Sequence, residues 1–281
     1  MHSPDAHSLA VPGATLYYEV LGNGPLLLII PGGPQDAGVF AALAQNLADR
    51  YTVLAFDPRG NSRTTTDKSP GELDVDLLAD DAAALIAAHG GKAHVLGTSG
   101  GAQIGLSLAA RHAHRVDTLV LHEPPTIMLL PDPDAALAGE RALYETYRRD
   151  GVEAAMGQFF AENGLDGDTD GPPDFDMPPE AAETFGRVSG NFEYWLAHGM
   201  LPLSTYRPDV EALRNGEPRI VIAIGEQSAD LPIAAMGQAL ADALGLAPTP
   251  FPGDHMGFET DPGAFADALH HVLKETRHGQ G

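Results

Sequence analysis

The chain lacks cysteine altogether and has a single tryptophan among its 281 residues. Without cysteine it can form no disulfide, use no thiolate nucleophile and offer no sulfur ligand to a metal. It has twelve histidines, but His270 and His271 are neighbours and would point about 100° apart on a helix. No cluster of histidines and carboxylates has the spacing of a metal site. The sequence therefore predicts neither a metal nor any other cofactor.

Positive charge is also scarce. Sixteen lysines and arginines stand against 39 aspartates and glutamates, which gives a net charge of −23. Such a surface repels the phosphates of nucleic acids and the headgroups of anionic membranes, so we expect neither as a partner. The expected partner is a small-molecule substrate, and a homodimer is compatible with the sequence.

Long hydrophobic runs are missing as well. No apolar segment approaches the roughly 18 residues of a membrane-spanning helix. The opening residues Met1-His2-Ser3-Pro4-Asp5 are not the basic segment, followed by an apolar one, that starts a signal peptide. A cytoplasmic protein is therefore the default expectation, and the lack of cysteine is equally compatible with export.

What is present is an alternation of strand and helix patterns. Hydrophobic residues make up 43% of the chain, and residues 26–30 are apolar throughout, as in strands that are buried on both faces. Strands are predicted at 14–20, 26–30, 52–56, 93–96, 118–122, 219–225 and 247–251, and helices at 37–50, 73–89, 102–111, 238–246 and 263–276. This order predicts a mostly parallel sheet covered by helices on both faces.

The pattern changes between Pro124 and Pro218, where helical stretches occur without a strand. Residues 164–179 within this region are rich in aspartate, proline and glycine and are expected to form an exposed loop. We interpret the region as a helical cap inserted into the sheet domain. The predicted division is a core domain of residues 1–124 and 218–281 with a cap of residues 125–217.

The most informative motif is Gly97-Thr98-Ser99-Gly100-Gly101, which reads G-x-S-x-G. It follows a short apolar strand pattern and precedes a helical one, which is the context of a nucleophile elbow. The glycines permit the close approach of strand and helix that such a turn requires. The motif predicts Ser99 as a catalytic nucleophile.

A serine hydroxyl needs a base and its transition state needs hydrogen-bond donors. His255 is the predicted base, because it lies in the loop after the last strand. The backbone N–H groups of Gly100 and Gly33 are the predicted oxyanion donors. Gly33 belongs to the Pro31-Gly32-Gly33-Pro34 loop, which follows an early buried strand.

Taken together, these features resemble the α/β-hydrolase superfamily. The shared order is the glycine-rich loop, the Asp57-Pro58-Arg59-Gly60 turn, the elbow, a helical cap and a late histidine. The resemblance covers about residues 14–273. It implies the α/β-hydrolase fold, and it indicates a structural rather than catalytic role for the Asp57 turn.

The acid of the triad departs from the usual pattern. In most members an aspartate follows the penultimate strand, three residues after its closing glycine, but here Ser228 holds that place. Glu226 and Asp230 lie nearby but out of register. Glu123, at the end of the strand after the elbow helix, is close to the histidine loop in this topology. Glu123 is therefore the preferred acid, and Asp230 is the main alternative.

A subgroup typified by zearalenone lactonase places its acid in this way. It has a Cys-His-Glu-Leu-Pro-Thr stretch that is similar to residues 121–126 here, and an Asn-Tyr-x-x-Trp stretch in its cap that resembles Asn191-Phe192-Glu193-Tyr194-Trp195. Trp195 is a candidate substrate wall and an equally good candidate for cap core. The candidate substrate-binding residues are Gly32, Trp195, Tyr194, Phe192, Met200 and Met256.

The sequence thus predicts a serine hydrolase that cleaves an ester or lactone through an acyl-enzyme, and the resemblance favours a lactone. Two alternatives stay open. Gly32-Gly33-Pro34 also occurs in proline iminopeptidase-like aminopeptidases, which would need cap carboxylates to hold a free amine. The other is a ligand-binding or lyase-type protein on the same fold.

Overall fold

The aliphatic runs of the sequence form the strands of one nine-stranded sheet. The protein is described by a computed structural model that covers residues 3–69, 71–164 and 178–275. The strands are β1 (Asp5–Val11), β2 (Ala14–Gly22), β3 (Leu26–Ile30), β4 (Thr52–Phe56), β5 (Thr65–Thr66), β6 (Ala93–Thr98), β7 (Val116–His122), β8 (Arg219–Gly225) and β9 (Thr249–Phe251).

The strand order is β1-β2-β4-β3-β6-β7-β8-β9, and β5 pairs with β2. Strands β3, β4, β6, β7, β8 and β9 pair in parallel. Strands β1, β2 and β5 form an antiparallel edge, with β2 pairing antiparallel to β4. The predicted mostly parallel α/β sheet is confirmed. Because the strands are parallel, the loops that follow β3, β6, β7, β8 and β9 all leave from the same edge of the sheet.

Helices cover both faces of the sheet. They are α1 (Ala41–Leu47), α2 (Val75–Ala88), α3 (Gly100–Arg111), α4 (Pro133–Asp150), α5 (Val152–Glu162), α6 (Pro179–Tyr194), α7 (Met200–Ser204), α8 (Val210–Asn215), α9 (Pro232–Leu244), α10 (Gly257–Thr260) and α11 (Pro262–Lys274). Side chains of β3 alternate between two cores, one with α2 and α3 and the other with α1 and α11.

The region between β7 and β8 is helical, as predicted, and contains α4 to α8. A π-helical turn, Trp195–Gly199, joins α6 to α7. Residues 165–177, most of the predicted exposed loop, lie outside the described residues. The helical insertion is therefore observed, while the domain boundaries at 124 and 218 stay a prediction.

Several predicted elements have different limits in the structure. The helix predicted at 37–50 is a 3-10 turn, Ala37–Phe40, followed by the short α1. Helix α9 begins at Pro232 rather than 238, because proline is well suited to the first turn of a helix. Strand β1 was not predicted, since five of its seven residues are exposed and give no apolar pattern.

Candidate active site

Ser99 occupies the turn between β6 and α3. Its backbone has φ 50° and ψ −124°, a conformation that strains any residue with a side chain. The turn is held by a 2.9 Å hydrogen bond from the Ser99 N–H to the His122 carbonyl. A Cβ on Gly97 would lie 2.6 Å from the Gly101 carbonyl oxygen, and one on Gly101 would collide with that of Ile30. The elbow therefore requires these glycines.

Glu123 directly follows β7 and is fully buried. Its φ of 48° is unusual for a non-glycine residue, and its N–H donates a 2.9 Å hydrogen bond to the Ala223 carbonyl on β8. The carboxylate accepts the Gly225 N–H at 2.9 Å on Oε1 and the His255 Nδ1–H at 2.7 Å on Oε2. The sharp turn after β7 thus directs the carboxylate at the histidine loop.

The ionisation of Glu123 reflects this pairing. Burial alone would raise the pKa of a carboxylic acid, but the hydrogen bond from His255 and the neighbouring imidazoles outweigh it and lower the pKa of Glu123 to about 2. The nearby Ser228 hydroxyl contributes to the lowering, although within the described residues its Oγ makes no hydrogen bond of ordinary geometry. Glu123 is therefore ionised at neutral pH and accepts both hydrogen bonds.

The two predicted oxyanion donors converge beside Ser99. A Cβ on Gly100 would lie 3.2 Å from the Gly33 nitrogen, and a Cβ on Gly32 would lie 2.9 Å from that of Ser99. Within the described part of the chain, neither the Gly33 nor the Gly100 N–H donates a hydrogen bond. Two unpaired donors next to a serine hydroxyl can stabilise an oxyanion.

Gln35 and Met256 connect the glycine-rich loop with the histidine loop. The Gln35 side chain accepts the Gly32 N–H at 3.1 Å, and its amide nitrogen lies 3.8 Å from the Met256 sulfur. Gln35 was missed from the sequence, because nothing in its neighbourhood marks it. Gly32 and Met256, both predicted, therefore border the site.

Glu226 and Asp230, the other two candidate acids, lie away from the hydrogen bond between Glu123 and His255. Glu226 and Asp230 are exposed, and Asp230 lines an open groove of about 700 Å³ beside β8, β9 and α9 that includes neither Ser99 nor His255. Ser228, in the register where an aspartate was expected, is fully buried. The geometry favours Glu123 over both alternatives.

His122, which was not singled out, packs directly behind the site. It is fully buried, its ring lies 6.3 Å from that of His255, and it meets the ring edges of Phe258 and Phe265. Among the described residues, neither ring nitrogen has a hydrogen-bond partner. Burial is the main reason that the pKa of His122 is lowered to about 4, against the pull of the Glu123 charge. A pKa this low keeps the His122 imidazole neutral at pH 7.

The predicted cap residues have different surroundings. A Cβ on Gly33 would lie 3.3 Å from Trp195 Nε1. The indole therefore borders the oxyanion loop, residues 31–35, while its ring packs edge-on against Phe159. Met200 is buried in the core, and Phe192 is half-buried near Phe160. Of the four predicted residues, Trp195 has the most direct contact with the site.

The Asp57 turn has the surroundings of a structural element. Asp57 is fully buried, accepts the Ala37 N–H at 3.0 Å and pairs with the Arg63 guanidinium at 2.8 Å. Tyr194 lies against Gly60 in the same turn and donates a 3.3 Å hydrogen bond to the Gly71 carbonyl. This agrees with the predicted structural role and leaves Tyr194 a neighbour of the turn.

Residues 3–69, 71–164 and 178–275 offer neither a metal site nor a membrane span. These residues include no group of three histidine or carboxylate side chains that could hold a metal ion. None of the helices in the same ranges is long and apolar enough to span a membrane.

Several proteins that are similar to this chain are described as hydrolases. The family model of the alpha/beta hydrolase fold matches residues 25–164. An uncharacterized hydrolase of Bacillus subtilis, YraK, is 32% identical over 96% of this chain and 97% of its own length. A thermophilic esterase from Thermogutta terrifontis matches with a TM-score of 0.73 at 21% identity, covering 97% of this chain and 98% of its own. The enol-lactonase from Burkholderia xenovorans matches with a TM-score of 0.71 at 18% identity, covering 96% of this chain and 100% of its own. The chain is therefore a hydrolase of the α/β-hydrolase family.

Proposed function

We propose that the protein is a serine hydrolase that cleaves a carboxylic ester or lactone through an acyl-enzyme intermediate. Ser99 is the nucleophile, His255 the base and Glu123 the acid that orients it. The observation that carries the proposal is the 2.7 Å hydrogen bond from His255 Nδ1 to the buried Glu123 carboxylate. This bond leaves Nε2 as the unprotonated nitrogen that can accept a proton from Ser99.

In the acylation step, Ser99 Oγ attacks the substrate carbonyl carbon while His255 Nε2 takes its proton. The negative charge that develops on the carbonyl oxygen is stabilised by the N–H groups of Gly33 and Gly100, which have no other acceptor in the described chain. The imidazolium that forms is stabilised by Glu123, whose pKa of about 2 keeps it ionised. His255 then protonates the leaving alkoxide as the carbon–oxygen bond breaks.

Deacylation repeats these steps with water. His255 removes a proton from the water as it attacks the acyl carbonyl, and it returns the proton to Ser99 when the ester bond to Ser99 breaks. A lactone yields one hydroxy acid, because its leaving group remains part of the acyl chain. No cofactor takes part in either step.

A lactone is the favoured substrate class, and the support for it is resemblance. The stretches at 121–126 and 191–195 are similar to those of zearalenone lactonase, and the fold matches both an enol-lactonase and an esterase. Trp195, which borders Gly33, is the proposed aromatic contact for the substrate.

Proton release in a pH-stat tests the proposal directly. The panel comprises short alkyl esters, aryl esters, macrolactones and an aminoacyl-naphthylamide, the last one followed by naphthylamine release. We expect turnover to be lost in Ser99→Ala. It should be kept in the control Ser8→Ala, which changes an exposed serine on β1. A folded wild-type protein that cleaves only the naphthylamide, or nothing, would contradict it.

A further inference from the structure

Four successive carbonyl groups of the oxyanion loop are engaged in hydrogen bonds. The Gly32 carbonyl accepts the backbone N–H of Gln35 at 2.9 Å. The Asn61 amide nitrogen donates to the carbonyls of Gly33, at 3.1 Å, and Gln35, at 2.9 Å. The Asn191 amide nitrogen donates to the Pro34 carbonyl at 2.8 Å. Side-chain amides therefore hold three of these four groups.

This arrangement fixes the direction of the Gly33 N–H. The peptide between residues 32 and 33 is planar and trans, so the Gly32 carbonyl and the Gly33 N–H point in opposite directions. The Gln35 N–H binds the Gly32 carbonyl. Its position is fixed in turn, because the amides of Asn191 and Asn61 hold the carbonyls of Pro34 and Gln35 on either side of it. Movement of these amides would rotate the Gly33 N–H.

Asn191 differs from Asn61 because it belongs to the cap helix α6. It is 5% exposed and uses both ends of its amide. Its oxygen accepts the Ser62 N–H at 2.8 Å, and its nitrogen also donates to the Ser62 hydroxyl at 2.9 Å. Asn191 therefore joins the cap both to the oxyanion loop and to Ser62, just after the Asp57 turn.

Other residues on the same face of α6 contact the residues just after the oxyanion loop or the Asp57 turn. Thr184, Arg187, Asn191 and Tyr194 are spaced by three, four and three residues, which places them on one side of α6. Arg187 Nε donates a 2.7 Å hydrogen bond to the fully buried Asp36, just after the loop. Docking of α6 is thus specified by buried polar contacts.

We propose that Asn61 and Asn191 are positioning residues for the oxyanion hole, and that Asn191 makes the orientation of the Gly33 N–H depend on the docking of cap helix α6. This rests on the proposed function, because it assigns Gly33 to the oxyanion. Neither side chain touches the reacting atoms. Each acts through the backbone carbonyls that it holds.

Asn191→Asp is the principal test variant. The carboxylate has the same shape and can still accept the Ser62 N–H, but it cannot donate to the Pro34 carbonyl. Tyr147→Phe is the matched control, because it removes a 2.6 Å hydrogen bond from Tyr147 to Glu193 on the same helix without touching the loop. Both variants are compared with wild type for kcat and KM on 4-nitrophenyl acetate, for inhibition by phenylboronic acid, and for Tm.

The expected result is a selective loss of transition-state stabilisation. A misplaced donor costs up to about 10²-fold, so kcat of Asn191→Asp should fall about 10- to 100-fold while KM changes little. The inhibition constant of phenylboronic acid, which forms a tetrahedral adduct with a serine, should rise by a comparable factor. Tyr147→Phe should match wild type in all three.

The outcomes separate the two proposals. Wild-type turnover that survives in Ser99→Ala would overturn the proposed function and the positioning role with it. Serine-dependent turnover in wild type, with Asn191→Asp equal to Tyr147→Phe in kcat and boronic acid inhibition, would overturn the positioning role alone. If Asn191→Asp does not fold, Asn61→Asp removes the other amide donor from the core side, and unchanged kcat and inhibition in that variant would overturn the proposal.

Discussion

Glu123 and His255, separated by 132 positions in the chain, are joined by a 2.7 Å hydrogen bond at the edge of the sheet where the parallel strands end. The carboxylate is fully buried, whereas the imidazole keeps 16% of its side-chain surface exposed. One partner is thus fixed inside the protein, and the other remains partly open to solvent.

Glu123→Gln should reduce kcat by about 10⁴-fold, because an amide no longer holds the imidazole in the correct tautomer or stabilises its charge. Steady-state kinetics on the best ester or lactone of the panel measures the effect. Asp230→Asn, at an exposed carboxylate, is the control and should retain wild-type kcat. The reverse pattern would transfer the acid role to Asp230.

Ser99→Gly should be more stable than Ser99→Ala. Both variants lack the hydroxyl, but glycine tolerates φ 50° and ψ −124° without the strain that a Cβ causes. Strain of about 1–3 kcal/mol, less the extra entropy of unfolded glycine, predicts a difference of about 1 kcal/mol. Urea unfolding of the two inactive proteins measures it, and equal midpoints would show that the elbow is unstrained.

His122→Phe should reduce the loss in the free energy of unfolding that occurs as the pH falls from about 6.5 to 4. The pKa of His122 is about 4 in the folded protein and about 6.5 when unfolded, so the unfolded state binds the proton more readily between these values. The stabilisation from the neutral imidazole is complete above pH 6.5 and is lost as the pH falls towards 4, by about 1.4 kcal/mol per pH unit.

The quantity to measure is the difference between wild type and His122→Phe in the free energy of unfolding, at intervals from pH 7 to 4. Phenylalanine suits the site, since the ring already packs among Phe251, Phe258 and Phe265. Carboxylates remote from residue 122 affect both proteins alike and cancel in the difference. The neighbouring Glu123, with a pKa of about 2, stays ionised throughout this pH range. A difference that does not vary with pH would mean that His122 binds a proton as readily in the folded state as in the unfolded state.

Gly101→Ala should destabilise the protein, because the new methyl group would collide with the Ile30 carbonyl oxygen and lie 2.6 Å from that of Pro31. Gly139→Ala is the matched control: it also lies in a helix, α4, and its Cβ would meet nothing within 4 Å. The control should gain about 0.5–1 kcal/mol from helix propensity. In thermal unfolding, the Tm of Gly101→Ala should fall and that of Gly139→Ala should rise. Similar shifts in both variants would contradict the close packing of α3 on β3.

The amino-acid sequence alone was sufficient for the central sheet and the elbow. The limits of β3, β4 and β8 were predicted to the residue, because a strand buried on both faces reads as a nearly continuous apolar run. Ser99 could be located because only glycine fits beside such a turn, and this requirement is visible in the sequence itself. Strand β1 could not be predicted, since an exposed edge strand has no such requirement.

Contacts between distant segments were decided only by the tertiary structure. The pairing of β7 with β8, together with the turn at φ 48°, directs Glu123 to His255 and leaves Asp230 exposed. The amides of Asn61 and Asn191 are recognisable as supports of the oxyanion loop only once α6 lies across it. Local patterns record what one segment needs for its own burial and backbone conformation, whereas these side chains owe their role to partners far away in the chain.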